Sequence, residues 1–73
     1  MAVTRVKSEI AGAVWKILKQ SGDTVAAEET LLLVESMKME IPIAAPHAGM
    51  VTAILVREGE MVAEGDVVAV IAA

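Results

Sequence analysis

Displaced by 37 positions, the chain overlays on itself, and residues 10–35 meet residues 47–72 without a gap. Ala11 falls on Ala48, Gly12 on Gly49, Val14 on Val51, and Ile17 and Leu18 on Ile54 and Leu55. Further along, Gly22 falls on Gly59, and Val25 and Ala26 on Val62 and Ala63. A motif used twice restricts the fold, because both copies must satisfy the same packing. Solenoid arrays need about three or more units to bury a continuous core, so two copies point to a closed pair related by a pseudo-twofold axis.

Each half has the same order: a Gly, an apolar segment, a turn with a second Gly, and another apolar segment. In the first half these are Ala13 to Lys19, the turn Ser21-Gly22-Asp23, and Leu31 to Val34. In the second they are Met50 to Val56, the turn Glu58-Gly59-Glu60, and Val67 to Ile71. Segments this short, rich in β-branched residues and bounded by Gly, Asp and Glu, read as strands. Around Ala26 to Glu29 a turn is preferred over a helix. The fold class that follows is all-β, a sandwich or barrel.

The chain has 73 residues and is read as one domain, 1–73. A domain of this size buries only about 60% of the surface its unfolded chain exposes, so it needs staples or dense packing. With no Cys there are no disulfides, and the 56% hydrophobic content, almost wholly aliphatic apart from Trp15, predicts a tightly packed aliphatic core. No run approaches the ~18 apolar residues of a membrane span, and Met1 is not followed by a signal sequence. The expectation is a soluble, cytoplasmic protein without a membrane role, and Met1 with its short non-linker stretch favours a complete chain. A net charge of −4 with scattered basic residues argues against a nucleic-acid surface, which draws its affinity from clustered Lys and Arg. With no heptad or apolar docking stripe, a monomer is expected.

Residues 36–46 form a bridge between the halves, Ser36-Met37-Lys38-Met39-Glu40-Ile41-Pro42-Ile43-Ala44-Ala45-Pro46. Pro42 cannot donate a backbone hydrogen bond, so the stretch Glu40 to Ala44 either sits at a sheet edge or has that position facing away from a partner. If the bridge folds back as a hairpin, Met37, Lys38 and Met39 lie at its tip. Turn rules alone do not predict this, because the segment lacks the Asn-Gly or Gly-Xaa pair of favoured hairpin turns.

Met37-Lys38-Met39 resembles the modification motif of the biotinyl/lipoyl attachment domain family. The family's other marks surround it: Gly22-Asp23, Glu35 before the lysine, Ala45-Pro46 with Gly49, and Glu64-Gly65-Asp66. The resemblance implies a flattened β-barrel of two antiparallel sheets, with the modified lysine on an exposed hairpin turn and the termini at the far end. It implies covalent attachment of biotin at Lys38, with Met37 and Met39 as flanking recognition residues. Ser36 departs from the Ala common at that position, and the protruding loop of some bacterial acetyl-CoA carboxylase carriers is missing.

The function implied is a non-catalytic biotin carboxyl carrier within an acyl-CoA carboxylase. Its partners would be a biotin protein ligase, a biotin carboxylase and a carboxyltransferase. Cofactor chemistry asks a carrier to hold and deliver rather than to supply acids or bases, and the residues agree, with one His and neither Cys nor Tyr. A solvated lysine amine is almost wholly charged at neutral pH, so activation for attack on biotinyl-adenylate falls to the ligase. Lipoyl domains usually have Asp-Lys-Ala in place of Met-Lys-Met, which makes a lipoyl carrier the rival reading and an unmodified binding module the third.

Simpler roles stand beside these. Lys38 on composition alone is a solvated surface lysine, and Met37 and Met39 are equally readable as apolar plugs at a barrel end. Glu35 and Glu40 are ordinary solvated residues. His47 is a surface turn residue without partners at metal-ligand spacing. Trp15 packs, partly exposed, against its sheet. Gly12, Gly49, Gly22 and Gly59 serve backbone turns or close strand approach.

Overall fold

The computed structural model describes residues 2–73. Eight strands follow one another: β1 (Val3–Lys7), β2 (Gly12–Ile17), β3 (Thr24–Val25), β4 (Thr30–Ser36), β5 (Met39–Ala44), β6 (Gly49–Ile54), β7 (Met61–Val62) and β8 (Val67–Ala72). They form two antiparallel four-stranded sheets, ordered β1-β8-β6-β3 and β5-β4-β2-β7. Among the described residues there is no helix, and therefore none long and apolar enough to cross a membrane. The segment Ala26 to Glu29 is a turn, as its sequence suggested.

Advancing each strand by four places turns one sheet into the other, so the repeat in the sequence is a twofold relation in space. The backbone bonds of the connections repeat with it. Gly22 N–H donates to Val51 C=O and Gly59 N–H to Val14 C=O, each over 2.7 Å. Val51 and Val14 return the bond to Asp23 and Glu60, each over 2.8 Å. Each half thus pins the glycine turn of the other.

The relation reaches further than residues 10–35 and 47–72. Strand β1 is the counterpart of β5, with Val6 opposite Ile43 and Ser8 opposite Ala45 in the twofold, and all four are buried. Residues 39–44 are therefore the first strand of the second unit, which corrects their reading as part of a bridge outside the repeat. Strand β1 was not foreseen at all.

The core is aliphatic, as expected. Leu31, Leu32, Val34, Val51, Val68 and Ile71 have no exposed surface, with Val6, Val14, Val25, Ile43, Ala45, Val56, Val62 and Ala69 around them. Each fully buried side chain of this size contributes about 1.5–3 kcal/mol. The one buried polar side chain among the described residues, Ser8, donates from Oγ to the Ile10 carbonyl over 2.6 Å, so its burial leaves no unmet donor. Gly12 and Gly49 are places of close strand approach. A Cβ at Gly12 would collide with the Glu35 carbonyl oxygen, and one at Gly49 with that of Ala72.

Four register slips interrupt the strand ladders, and those in β2 and β6 bear on the long strands before the glycine turns. Val14 and Ile17 both pack on the core, as do Val51 and Ile54, which a strict period of two forbids. The register slips between Val14 and Lys16 and again between Val51 and Ala53, turning two successive residues outward each time. The continuous strand read over Ala13 to Lys19 is thus bent at Trp15 and ends at Ile17.

Strands β1 and β5, each one of the two edges of its sheet, run antiparallel past each other. Thr4 Oγ1 in β1 lies 2.7 Å from His47 Nε2, just beyond the end of β5. The other edge partner positions follow from this pairing and the twofold. They place the β4–β5 turn at one end of the molecule and the chain ends, joined by Ala73 N–H donating to Ala2 C=O over 2.9 Å, at the other. The molecule measures 36 × 18 × 17 Å.

Candidate functional site

Strands β4 and β5 pair from Thr30↔Ala44 to Ser36↔Met39, leaving Met37 and Lys38 as a two-residue connection. Both have positive φ, 52° and 64°, the conformation of a type I′ turn. That turn matches the twist of its strands but ordinarily asks for Asn or Gly. A non-glycine residue in this region costs on the order of 1–2 kcal/mol, so it persists only where surrounding structure dictates it. Here the dictate is the register of β4 and β5, fixed below the turn by buried Leu32, Val34 and Ile43.

The turn presents its side chains to solvent. Met37 is 92% exposed and Met39 62%, and Lys38 is exposed between them. The reading of the two methionines as plugs is therefore wrong: a plug would be covered by the barrel, and these stand clear of it. The sequence-predicted trio Met37, Lys38 and Met39 is thus brought together on one protruding tip.

The four lysines differ in setting. Lys7 lies in edge strand β1, and Lys16 on the bulge of β2. Lys19 Nζ is 2.7 Å from Glu29 Oε2, the only ion pair among the described residues. That hydrogen bond holds Lys19 above the ordinary lysine range, and it holds the Glu29 carboxyl below the ordinary carboxylate range, with help from the Ala26 N–H. Lys38 alone stands in a tight turn, and it is exposed there.

Glu35 and Glu40, read from sequence as ordinary solvated residues, are exposed, and they are direct cross-strand neighbours on the outward face just below the turn. Like charges in such a pair are mildly destabilising. His47 lies in the bend after β5 and is half-buried, with Nδ1 donating to the Ala48 carbonyl at 2.8 Å and Nε2 on Thr4. A groove of about 610 Å³ lies between β1 and β5 and is lined by Thr4 to Lys7 and Pro42 to Pro46. It does not include the Lys38 turn.

Comparison with known proteins bears on what such a tip is for. The family described as "Biotin-requiring enzyme", of biotin and lipoyl attachment domains, matches residues 2–71. The chain belongs to the biotin/lipoyl attachment family. It is 42% identical over 62 residues to the "Biotin/lipoyl attachment protein" of Bacillus subtilis, covering 85% of each chain. It is 41% identical over 66 residues to the "Biotinylated protein TB7.3 homolog" of Mycobacterium leprae, covering 90% of this chain and 93% of that one. Among solved structures, the urea carboxylase of Kluyveromyces lactis superposes with a TM-score of 0.93 at 38% identity, over 99% of this chain and 6% of that one. A biotin/lipoyl attachment domain is a carrier, consistent with an exposed amine on a rigid scaffold.

Proposed function

We propose that the protein is a biotin carboxyl carrier, with biotin joined through an amide to Nζ of Lys38. The observation that carries this reading is the placement of Lys38, alone of the lysines, at the apex of the two-residue turn. Met37 and Met39 give the lysine the flanks that a biotin ligase reads, and their exposure leaves them free to be read. The name of the Mycobacterium leprae relative supports biotin as the group carried, and the likeness to urea carboxylase supports a carboxylase as the setting.

In this role the chain supplies an amine and a stiff mount. A biotin ligase presents biotinyl-adenylate, the Lys38 amine attacks its carbonyl and AMP leaves. The amide removes one positive charge and takes the formal net charge from −4 to −5. Bound biotin supplies the carboxyl-carrying chemistry. The tether replaces diffusion by a high effective concentration at each site the arm can reach. A biotin carboxylase and a carboxyltransferase are the two sites visited, within an acyl-CoA carboxylase.

The test is the intact mass of protein made in cells holding both biotin and lipoate ligases, beside a Lys38→Ala variant. A biotin-sized increment that vanishes in the variant is expected. A lipoyl-sized increment would favour the second reading, a lipoyl carrier, to which the name of the Bacillus subtilis relative gives equal standing. An increment that survives Lys38→Ala would remove Lys38 from the proposal.

A further inference from the structure

The sheet that ends in the Lys38 turn carries the chain's one aromatic side chain on its outward face. The bulge in β2 turns both Trp15 and Lys16 outward, and Trp15 is 52% exposed. Lys16 stands opposite Leu33, and Leu33 opposite Pro42. Trp15, half-buried Leu33 and exposed Pro42 therefore make an apolar shelf across three strands. Between the shelf and the turn lies the acidic pair Glu35 and Glu40, on the same face.

The twofold supplies a comparison within the molecule. On the other sheet the positions of Trp15, Leu33 and Pro42 are held by Thr52, Val70 and Arg5, and those of Glu35 and Glu40 by Ala72 and Val3. An aromatic shelf behind an acidic pair exists only on the sheet that carries Lys38. Nothing in the shared scaffold requires it.

We propose that this shelf is the resting place of the biotin ring carried on Lys38 of the same molecule, an inference that rests on the function proposed above. The reach fits. The Leu33–Pro42 pair lies three residues below Ser36–Met39, or about 10 Å of strand, and the turn adds a few ångströms. Lysine's four methylenes, the amide and the valeryl chain of biotin span roughly ten bonds, each advancing ~1.25 Å, and so reach about 13 Å.

The chemistry fits as well. The thioether ring of biotin is apolar and polarisable, and sulfur packs favourably against aromatic rings. Its ureido group has two N–H donors, for which the Glu35 and Glu40 carboxylates are acceptors. A carboxylated ring would carry a negative charge into the same acidic pair and be repelled. The resting state therefore belongs to the uncharged ring, and loading with a carboxyl group frees the arm.

The single tryptophan makes a direct probe. Biotinylated and unmodified protein, told apart by intact mass, are compared by Trp15 emission and acrylamide quenching, and by amide NMR shifts. Attachment of biotin is expected to shift the emission to the blue and to lower quenching roughly twofold, since a stacked ring covers one of the two indole faces. The amides of Leu33 and Glu35 are expected to move, while those of their mates Val70 and Ala72 stay still. Equal quenching in both forms, with shifts confined to Met37 to Met39, would overturn this inference and leave the carrier function standing. Protection already present without biotin and growing with concentration would assign the shelf to a second copy and overturn it too. No biotin on Lys38 would overturn both.

Discussion

Replacing Glu28 by glycine should stabilise the protein, and replacing Gly65 by alanine should destabilise it by a similar amount. The two positions are twofold mates in the connections before β4 and β8, and both sit in the left-handed region, at φ 67° and 91°. Their N–H groups make equivalent bonds, Glu28 to the Ala45 carbonyl and Gly65 to the Ser8 carbonyl, over 2.7 and 2.8 Å. A Cβ built at Gly65 meets nothing within 4 Å, so a substitution there tests backbone conformation and no packing. A non-glycine residue in this region costs about 1–2 kcal/mol, against which glycine's extra freedom in the unfolded chain weighs about 0.5–1 kcal/mol. The net is a gain of about 0.5–1 kcal/mol for Glu28→Gly and a similar loss for Gly65→Ala. In a domain this small 1 kcal/mol moves Tm by about 4–8 °C, so thermal unfolding followed by circular dichroism resolves the pair. Glu28→Ala, which removes the carboxylate but keeps a Cβ, should stay within about 0.5 kcal/mol of the parent. If Glu28→Gly melts at or below the parent temperature while Glu28→Ala is neutral, the argument from backbone strain is refuted.

Two further expectations follow from the same symmetry and from the ion pair. Gly12→Ala and Gly49→Ala should each cost about 1–3 kcal/mol in urea unfolding, because each Cβ strikes a strand carbonyl that must move; only Gly12→Ala, which displaces Glu35 below the turn, should also slow biotin transfer to Lys38. Glu29 binds its proton less readily in the folded state than in the unfolded state, and Lys19 more readily. The contribution of their pair should therefore be present at neutral pH, fade as acid drives the pH down through the lowered Glu29 range, and fade again as alkali passes the raised Lys19 range. Urea midpoints of Glu29→Gln and the parent should converge below the carboxylate range, and a constant gap across all pH would count against the pair.

Those tests bear on features of unequal legibility. The repeat could be read because Gly12 and Gly49, Gly22 and Gly59, and the inward Val14 and Val51 are held to one identity by backbone approach, turn conformation and packing. The equivalence of β1 and β5 could not be read, because on these edge strands only Val6 and Ile43 face the core. Outward pairs such as Arg5 and Pro42 share nothing, since solvent makes no demand on them. The strand at Ala13 to Lys19 looked continuous because a bulge leaves no mark in an apolar run. At the site, residue types identified Lys38 through resemblance, but the I′ conformation of Met37 and Lys38 was invisible to turn rules: register, not local preference, sets it. Glu28 hid for the same reason, since its connection copies one in which glycine stands.

The bond between Ala73 and Ala2 occupies, in one half, the place that the Met37-Lys38 turn occupies in the other. The fold is thus a ring of eight strands cut at one of two equivalent corners. A two-residue linker across the present cut would close the circle, and new ends could then be opened elsewhere at little cost to the core. Evolution or an engineer can therefore choose where this domain is held, while the corner that holds the lysine remains as far from the grip as the molecule allows.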